Sequence, residues 1–158
     1  MQIPTKLVVA GILWRGHEFL AAQRPEGKAH AGYWEFPGGK VEAGESLEEA
    51  LVRELQEELD VTPLTMKAWQ VVRHVYNDSA SLKEEEKKVE EKQKGATALK
   101  SAPFAVEVHF YHVTAFEGDV VAKEGHGLAW MTRDMAVTYP FLEADRPLVA
   151  TLPLEQPE

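Results

Sequence analysis

The chain contains no cysteine. That excludes disulfides, thiolate nucleophiles and cysteine-ligated zinc together, and it fits a reducing compartment. No run of 18 apolar residues occurs, so no membrane-crossing helix is expected. The opening M-Q-I-P-T-K has no charged region ahead of an apolar stretch, which argues against a secretory leader. These absences together predict a cytoplasmic protein. The six histidines are scattered, with no H-E-x-x-H pair, and no D-x-[DN]-x-[DN]-G loop marks a calcium site. Positive charge is also scarce: 17 Lys and Arg stand against 26 Asp and Glu, a net charge of -9. An acidic chain argues against binding a long nucleic-acid backbone.

What is present is ordinary in bulk and uneven in detail. The 158 residues, 44% hydrophobic, suit one domain spanning 1–158, as a monomer or a homodimer. Most of the excess negative charge lies between positions 42 and 60. There Glu42, Glu45, Glu48, Glu49, Glu54, Glu57, Glu58 and Asp60 face a single base, Arg53. A local acidic block interleaved with leucines points to cations rather than to a solvated tail.

The pattern of apolar residues predicts a mixed α/β fold, a mixed sheet with helices packed on it. Leu7 to Trp14 reads as a buried strand, and Glu18 to Arg24 as its partner after a turn at 15–17. Residues 25–33 carry Pro25, Gly27 and Gly32 and read as a loop. The segment W-E-F-P-G-G-K turns sharply at Pro37-Gly38-Gly39. Ser46 with Glu49 forms the capping-box pattern that opens a helix. Leu47, Leu51, Leu55 and Leu59 form its core stripe, and Pro63 lies just past its end. Residues 64–77 and 103–116 read as two long strands that pair, 127–131 as a shorter strand, and 143–152 as a final short helix. Between the long strands, 79–102 is a charged insert with almost nothing to bury, expected to be solvated or disordered. The tail 153–158 is expected to fray.

Within R-E-L-Q-E-E-L, steps of about 100° per residue put Glu54, Glu57 and Glu58 on one face. Glu58 falls on the edge of the leucine stripe. A carboxylate facing the core must be paired or metal-bound. Hard divalent cations prefer oxygen ligands, and Mg²⁺ is usually held by a few carboxylates plus waters and phosphates. The Gly38-Gly39 turn offers a closely approaching backbone carbonyl. Arg53 can pair with Glu45, outside the metal cluster, and fix the loop against the helix. A solvated acidic helix is the plainer alternative.

Gly39 to Val61 reads G-K-V-E-A-G-E-S-L-E-E-A-L-V-R-E-L-Q-E-E-L-D-V. It resembles the Nudix box, G-x5-E-x7-R-E-U-x-E-E-x-G-U, where U is aliphatic. Gly39, Glu45, Arg53, Glu54, Leu55, Glu57, Glu58 and Val61 fall in register. Asp60 stands where the box has glycine, a helix end that favours a left-handed backbone, which Asp tolerates better than most residues. A-A-Q-R upstream, W-E-F-P-G-G-K, K-E-G at 123–125 and Y-P-F-L-E-A-D-R-P near the end resemble the MutT-type branch. The likeness covers most of the chain apart from the insert.

The resemblance implies a Nudix α/β/α sandwich and hydrolysis, with Mg²⁺ or Mn²⁺, of oxidised or modified nucleoside triphosphates to monophosphate and pyrophosphate. That is a nucleotide-pool sanitising activity, with 8-oxo-dGTP and modified cytidine triphosphates both open. It implies Gly39, Glu54, Glu57 and Glu58 as metal ligands, with Glu57 central and possible in water activation. Glu124 in K-E-G is implied as a further ligand or general base; an exposed loop acid is the alternative. Arg24 aligns with a phosphate-contacting arginine of the branch; on chemistry alone, an Arg ending a strand is as often a surface residue. Trp34 and Phe36 flank the Pro-Gly-Gly turn; one facing the base and the other the core is open, while the core is the default place for both. Asp145 stands where 8-oxoguanine-specific members carry asparagine; an ionised Asp only accepts hydrogen bonds. It could instead cap the last helix. Two rival readings remain: a hydrolase of ADP-ribose or another nucleoside diphosphate linked to a second group, and a Nudix-like domain that senses a nucleotide without cleaving it.

Overall fold

The computed structural model describes residues 3–76 and 103–158; the expected insert at 79–102 lies outside them. The chain runs β1 (Thr5–Arg15), β2 (Glu18–Gln23), β3 (Trp34–Glu35), β4 (Gly38–Lys40), α1 (Leu47–Leu59), β5 (Thr62–Tyr76), β6 (Phe104–Glu117), β7 (Gly127–Met131), α2 (Arg133–Ala136) and α3 (Arg146–Val149). The expected long elements are present. The final helix is one turn, Arg146–Val149, rather than the span 143–152, with Pro147 in its first turn, where proline is tolerated. No helix of the described residues is long and apolar enough to cross a membrane.

The sheet is mixed. Its main path is β3-β2-β1-β6-β5, with β4 paired to β1 and β7 paired to β2. β1 and β6 are parallel, from Thr5 opposite Ala105 to Leu13 opposite Val113. All the other strand pairs are antiparallel. β5 and β6 pair as the sequence predicts, along nearly their whole lengths.

Alternation along β1 divides the core into two faces. Val9 and Leu13 pack with Leu51, Leu55 and Leu59 of α1. Ala10, Ile12 and Trp14 pack with Phe19, Phe36, Phe110 and the C-terminal residues Phe141, Leu148, Val149 and Leu152. The mixed sheet thus carries helical segments on both faces. In the tail, Gln156 N–H donates to the Gly16 carbonyl (2.9 Å) and its side-chain oxygen accepts from Gly16 N–H (3.3 Å).

α1 is closed at both ends by local chemistry. Ser46 Oγ accepts from Glu49 N–H (3.1 Å), and Glu49 Oε1 accepts from Ser46 N–H (2.8 Å). Asp60 ends the helix at φ 62°, in the left-handed conformation.

Candidate active site

The strand β4 lies under α1, and its glycines set the distance between them. A Cβ on Gly38 would strike the Val9 carbonyl and the Ala10 Cα. A Cβ on Gly39 would occupy the space of the Glu54 carboxylate. Only glycine lets a helix acid rest directly on this strand's backbone.

Arg53 organises the acids around that contact. Its Nε and Nη2 donate to the two oxygens of Glu45 at 2.6 and 2.9 Å, a fork-to-fork pair. Nη1 donates to Glu54 Oε1 at 3.0 Å and reaches Glu57 Oε2 at 3.4 Å. Nη2 also donates to the Lys40 carbonyl at 2.9 Å, which ties the helix to β4. Glu45 Oε1 accepts from Glu42 N–H at 2.9 Å. Hydrogen bonds from Arg53 and then from that backbone amide hold the Glu45 carboxyl down to about 2. Glu45 in turn drives the Arg53 pKa further up. The arginine is therefore a fixed cation that braces the loop against the helix.

Glu58 is the opposite case. It is half-buried on the leucine side of α1, as the helical spacing predicts. Burial first, then a hydrogen bond and charge from Glu54, then the charges of Glu124 and Glu35, push its carboxyl up to about 9. Glu124 reaches this spot because Val121 N–H donates to the Leu59 carbonyl (2.9 Å) and Lys123 N–H to the Glu58 carbonyl (3.0 Å). The 121–124 segment is thereby laid along the end of α1. Glu57 is more exposed than Glu54, with side-chain exposures of 55% and 16%.

The donor set suits a hard divalent cation: carboxylate oxygens, a bared backbone and a carboxyl that holds its charge poorly without one. Among the described residues, no three acidic or imidazole side chains are already gathered as a cage. A cation here would draw on water and phosphate oxygens as well, the usual way Mg²⁺ is held.

Arg24 follows β2 directly. Its Nε donates to the Ala29 carbonyl at 2.7 Å, and its Nη1 lies 3.3 Å from Glu35 Oε2. It lines a cavity of about 530 Å³ with Gln23, Glu26, Gly32, Gly125 and Gly127. Glu35 is a residue that the sequence reading missed. It sits in a two-residue strand, too short for any periodicity to show.

Phe36 and Trp34 are both buried, in keeping with the core as the default place for aromatics; neither is turned out toward a base. Phe36 is 5% exposed and packs against Phe19, Phe110 and Phe141. Trp34 is 9% exposed and meets Tyr139 edge-on. Asp145 opens α3 through its backbone carbonyl, which accepts from Leu148 and Val149 N–H at 3.0 and 3.1 Å. Its side chain makes no capping bond to that helix.

The NUDIX domain family matches residues 4–152. The chain belongs to the Nudix family. It is a Nudix hydrolase of MutT type, and its relatives bear hydrolase names. The CTP pyrophosphohydrolase of Escherichia coli is 35% identical over 142 residues, covering 90% of this chain and 87% of that protein. The 8-oxo-dGTP diphosphatase of E. coli is 28% identical over 146 residues, covering 92% and 94%. Among solved structures, a MutT from work on the Aliivibrio salmonicida and Vibrio cholerae proteins superposes with a TM-score of 0.68 at 32% identity. It covers 93% of this chain and 95% of its own. Nudix hydrolases generally use divalent metal ions, and the acidic face of α1 is chemically fit for one.

Proposed function

We propose that this Nudix hydrolase cleaves nucleoside triphosphates, oxidised or otherwise modified, to a nucleoside monophosphate and pyrophosphate. Its place would be the cytoplasm, where it would sanitise the nucleotide pool. CTP-type nucleotides and 8-oxo-dGTP are the leading substrates, supported by the two E. coli relatives. The observation that carries the reading is Arg53, which holds Glu45, Glu54 and Glu57 by hydrogen bonds while the Glu54 carboxylate rests against Gly39. A sensing domain has no need of so complete an acid set.

In this reading Glu54, Glu57 and Glu58, the Gly39 carbonyl and Glu124 hold Mg²⁺ or Mn²⁺. When bound, the metal neutralises phosphate charge and lowers the pKa of attacking water. Glu57, exposed at the rim, or Glu124 accepts the proton of that water. Arg53 and Glu45 keep the acids in register. Arg24 contacts the phosphates from the cleft. Phe36 acts from the core as a fixed wall behind the turn. Asp145 selects bases that present a donor, because its ionised carboxylate only accepts.

One substrate panel tests this: 8-oxo-dGTP, dGTP, CTP, 5-methyl-dCTP, 2-hydroxy-dATP and ADP-ribose, with both products measured. Pyrophosphate equal to monophosphate is the expected outcome. Monophosphate without pyrophosphate would overturn the cleavage site, and a preference for ADP-ribose would overturn the substrate class. Nucleotide bound but left intact would favour the sensing domain. Asp145→Asn is expected to reorder the bases within the panel.

A further inference from the structure

The segment that leads into β7 is held at both ends. At one end, Val121 and Lys123 N–H donate to the Leu59 and Glu58 carbonyls, which seats it on α1. At the other, Gly127 stands opposite Gln23 of β2, and a Cβ there would meet Gln23 Oε1 at 2.9 Å, so the two strands are in close contact from the start. His126 therefore falls beside Arg24, one position beyond the last strand pair. Alternation gives its face. Leu128 and Trp130 pack on the α1 side of the sheet, and His126 continues that row. Ala22 of β2 is paired with both Leu128 and Glu35, and the Arg24–Glu35 contact shows that Arg24 points to the same side. Gly125 and Gly127, on either side of His126, line the cavity that Arg24 lines.

The imidazole is half-buried, and its Nε2 is shut off from solvent without a hydrogen-bond partner among the described residues. His112, the histidine of the core, shows the ordinary arrangement, since its Nδ1 accepts from the Trp14 indole. A buried nitrogen left unpaired points to strain, to catalysis or to a ligand. The neighbours of His126 favour the ligand. A guanidinium stands beside it and can only donate; a neutral imidazole can present Nε2–H as a second donor. An anion rich in acceptor oxygens satisfies both.

We propose that His126 is a phosphate-binding residue, whose Nε2–H donates to a phosphate oxygen of the nucleotide on the stretch that Arg24 also contacts. The inference rests on the nucleotide reading above. Arg24 supplies charge there, and His126 adds one directed bond to an ionised acceptor. The bond exists only in the complex, so the nitrogen contributes to affinity and not to the stability of the free protein.

The α,β-methylene analogue of CTP serves as the probe, bound in Mg²⁺ and followed by calorimetry. His126→Leu removes the donor and is expected to weaken binding by about tenfold. His126→Gln, whose amide N–H can stand where Nε2–H stood, is expected to recover binding to within about threefold of wild type. In protein labelled with ¹⁵N-histidine, the His126 Nε2–H signal, identified by its loss in the glutamine variant, is expected to move downfield when the analogue binds. The melting temperature of the free leucine variant should match the wild type or exceed it, because the residue removed was unpaired. Leucine and wild type binding alike would overturn the proposal, as would a glutamine variant no tighter than the leucine one. An unmoved Nε2–H signal would overturn it too, and that measurement is made on the wild-type fold. Any of these results in an enzyme that still releases pyrophosphate from CTP would sink this inference alone. A wild type that neither binds nor cleaves any triphosphate would sink the function beneath it.

Discussion

Glu58 and His112 are placed on opposite sides of one sheet, and both are starved of water. Burial drives the Glu58 carboxyl up to about 9 and the His112 imidazole down to about 4, so each is pushed toward its neutral form. Their neighbours differ. His112 Nδ1 accepts from Trp14 Nε1–H at 2.9 Å, and its ring lies 4.8 Å from that of Trp69. The neutral imidazole is therefore satisfied where it stands, as a buried polar group in a core should be. Glu58 bonds to Glu54 and feels the negative charges of Glu54, Glu124 and Glu35. No arrangement of those neighbours favours its charge until something positive arrives. The pair teaches that burial alone does not mark a functional group; burial among like charges does.

The contrast would break most directly if the acidic face could be neutralised without effect. Glu57→Gln is expected to lower triphosphate turnover by on the order of 10²–10³, read as pyrophosphate released, with the fold unchanged by circular dichroism. Arg53→Lys comes next. A lysine cannot fork onto Glu45 and also reach Glu54 and the Lys40 carbonyl. Turnover should fall by about 10–100-fold.

The pH dependence sharpens the comparison, because the two groups carry opposite signs. Without metal, folded Glu58 keeps its proton to about 9, whereas the unfolded chain releases it near 4.5, so stability falls as pH rises between those values. The unfolded chain protonates His112 near 6.5 but the folded protein only near 4, so stability falls as pH drops through that window. Thermal melts in EDTA should show Glu58→Gln flattening the alkaline limb and His112→Asn the acidic one, each by roughly 1–3 kcal/mol. Mg²⁺ should raise the alkaline limb of the wild type and leave the acidic limb alone. The smallest effect is expected at the helix end. Asp60→Gly relieves a left-handed non-glycine residue and should stabilise by about 0.5–1 kcal/mol, with turnover unchanged.

Much of this was legible because it is local. Ser46, Glu49 and four leucines define α1 without help from the rest of the chain, and helical spacing alone brings Glu58 to the buried side. The Arg53–Glu45 bond follows from a loop too short to place them far apart. What could not be read depends on partners far along the chain. β3 and β4 have two and three residues, and they are strands only because β2 and β1 pair with them. The burial of Phe36 is decided by Phe110 and Phe141, roughly seventy and a hundred residues away. Gln156 is pinned by a turn at the other end of the chain. Glu35 carries no periodic signal, and its pairing with Arg24 shows only in the fold.

The parallel register of β1 against β6 has a consequence in time. Each pair in it joins a residue to one a hundred positions later, from Thr5 with Ala105 to Leu13 with Val113. At synthesis rates of about 5–20 residues per second, β1 waits on the order of five to twenty seconds for its neighbour. For about the second half of that wait α1, complete with its leucine stripe by residue 59, lies on a sheet that still lacks β6. Contacts of such long reach slow folding. The nascent chain is therefore most exposed to aggregation just before β6 emerges, and the acidic block on α1, with its repelling charge, is what it then presents to its neighbours.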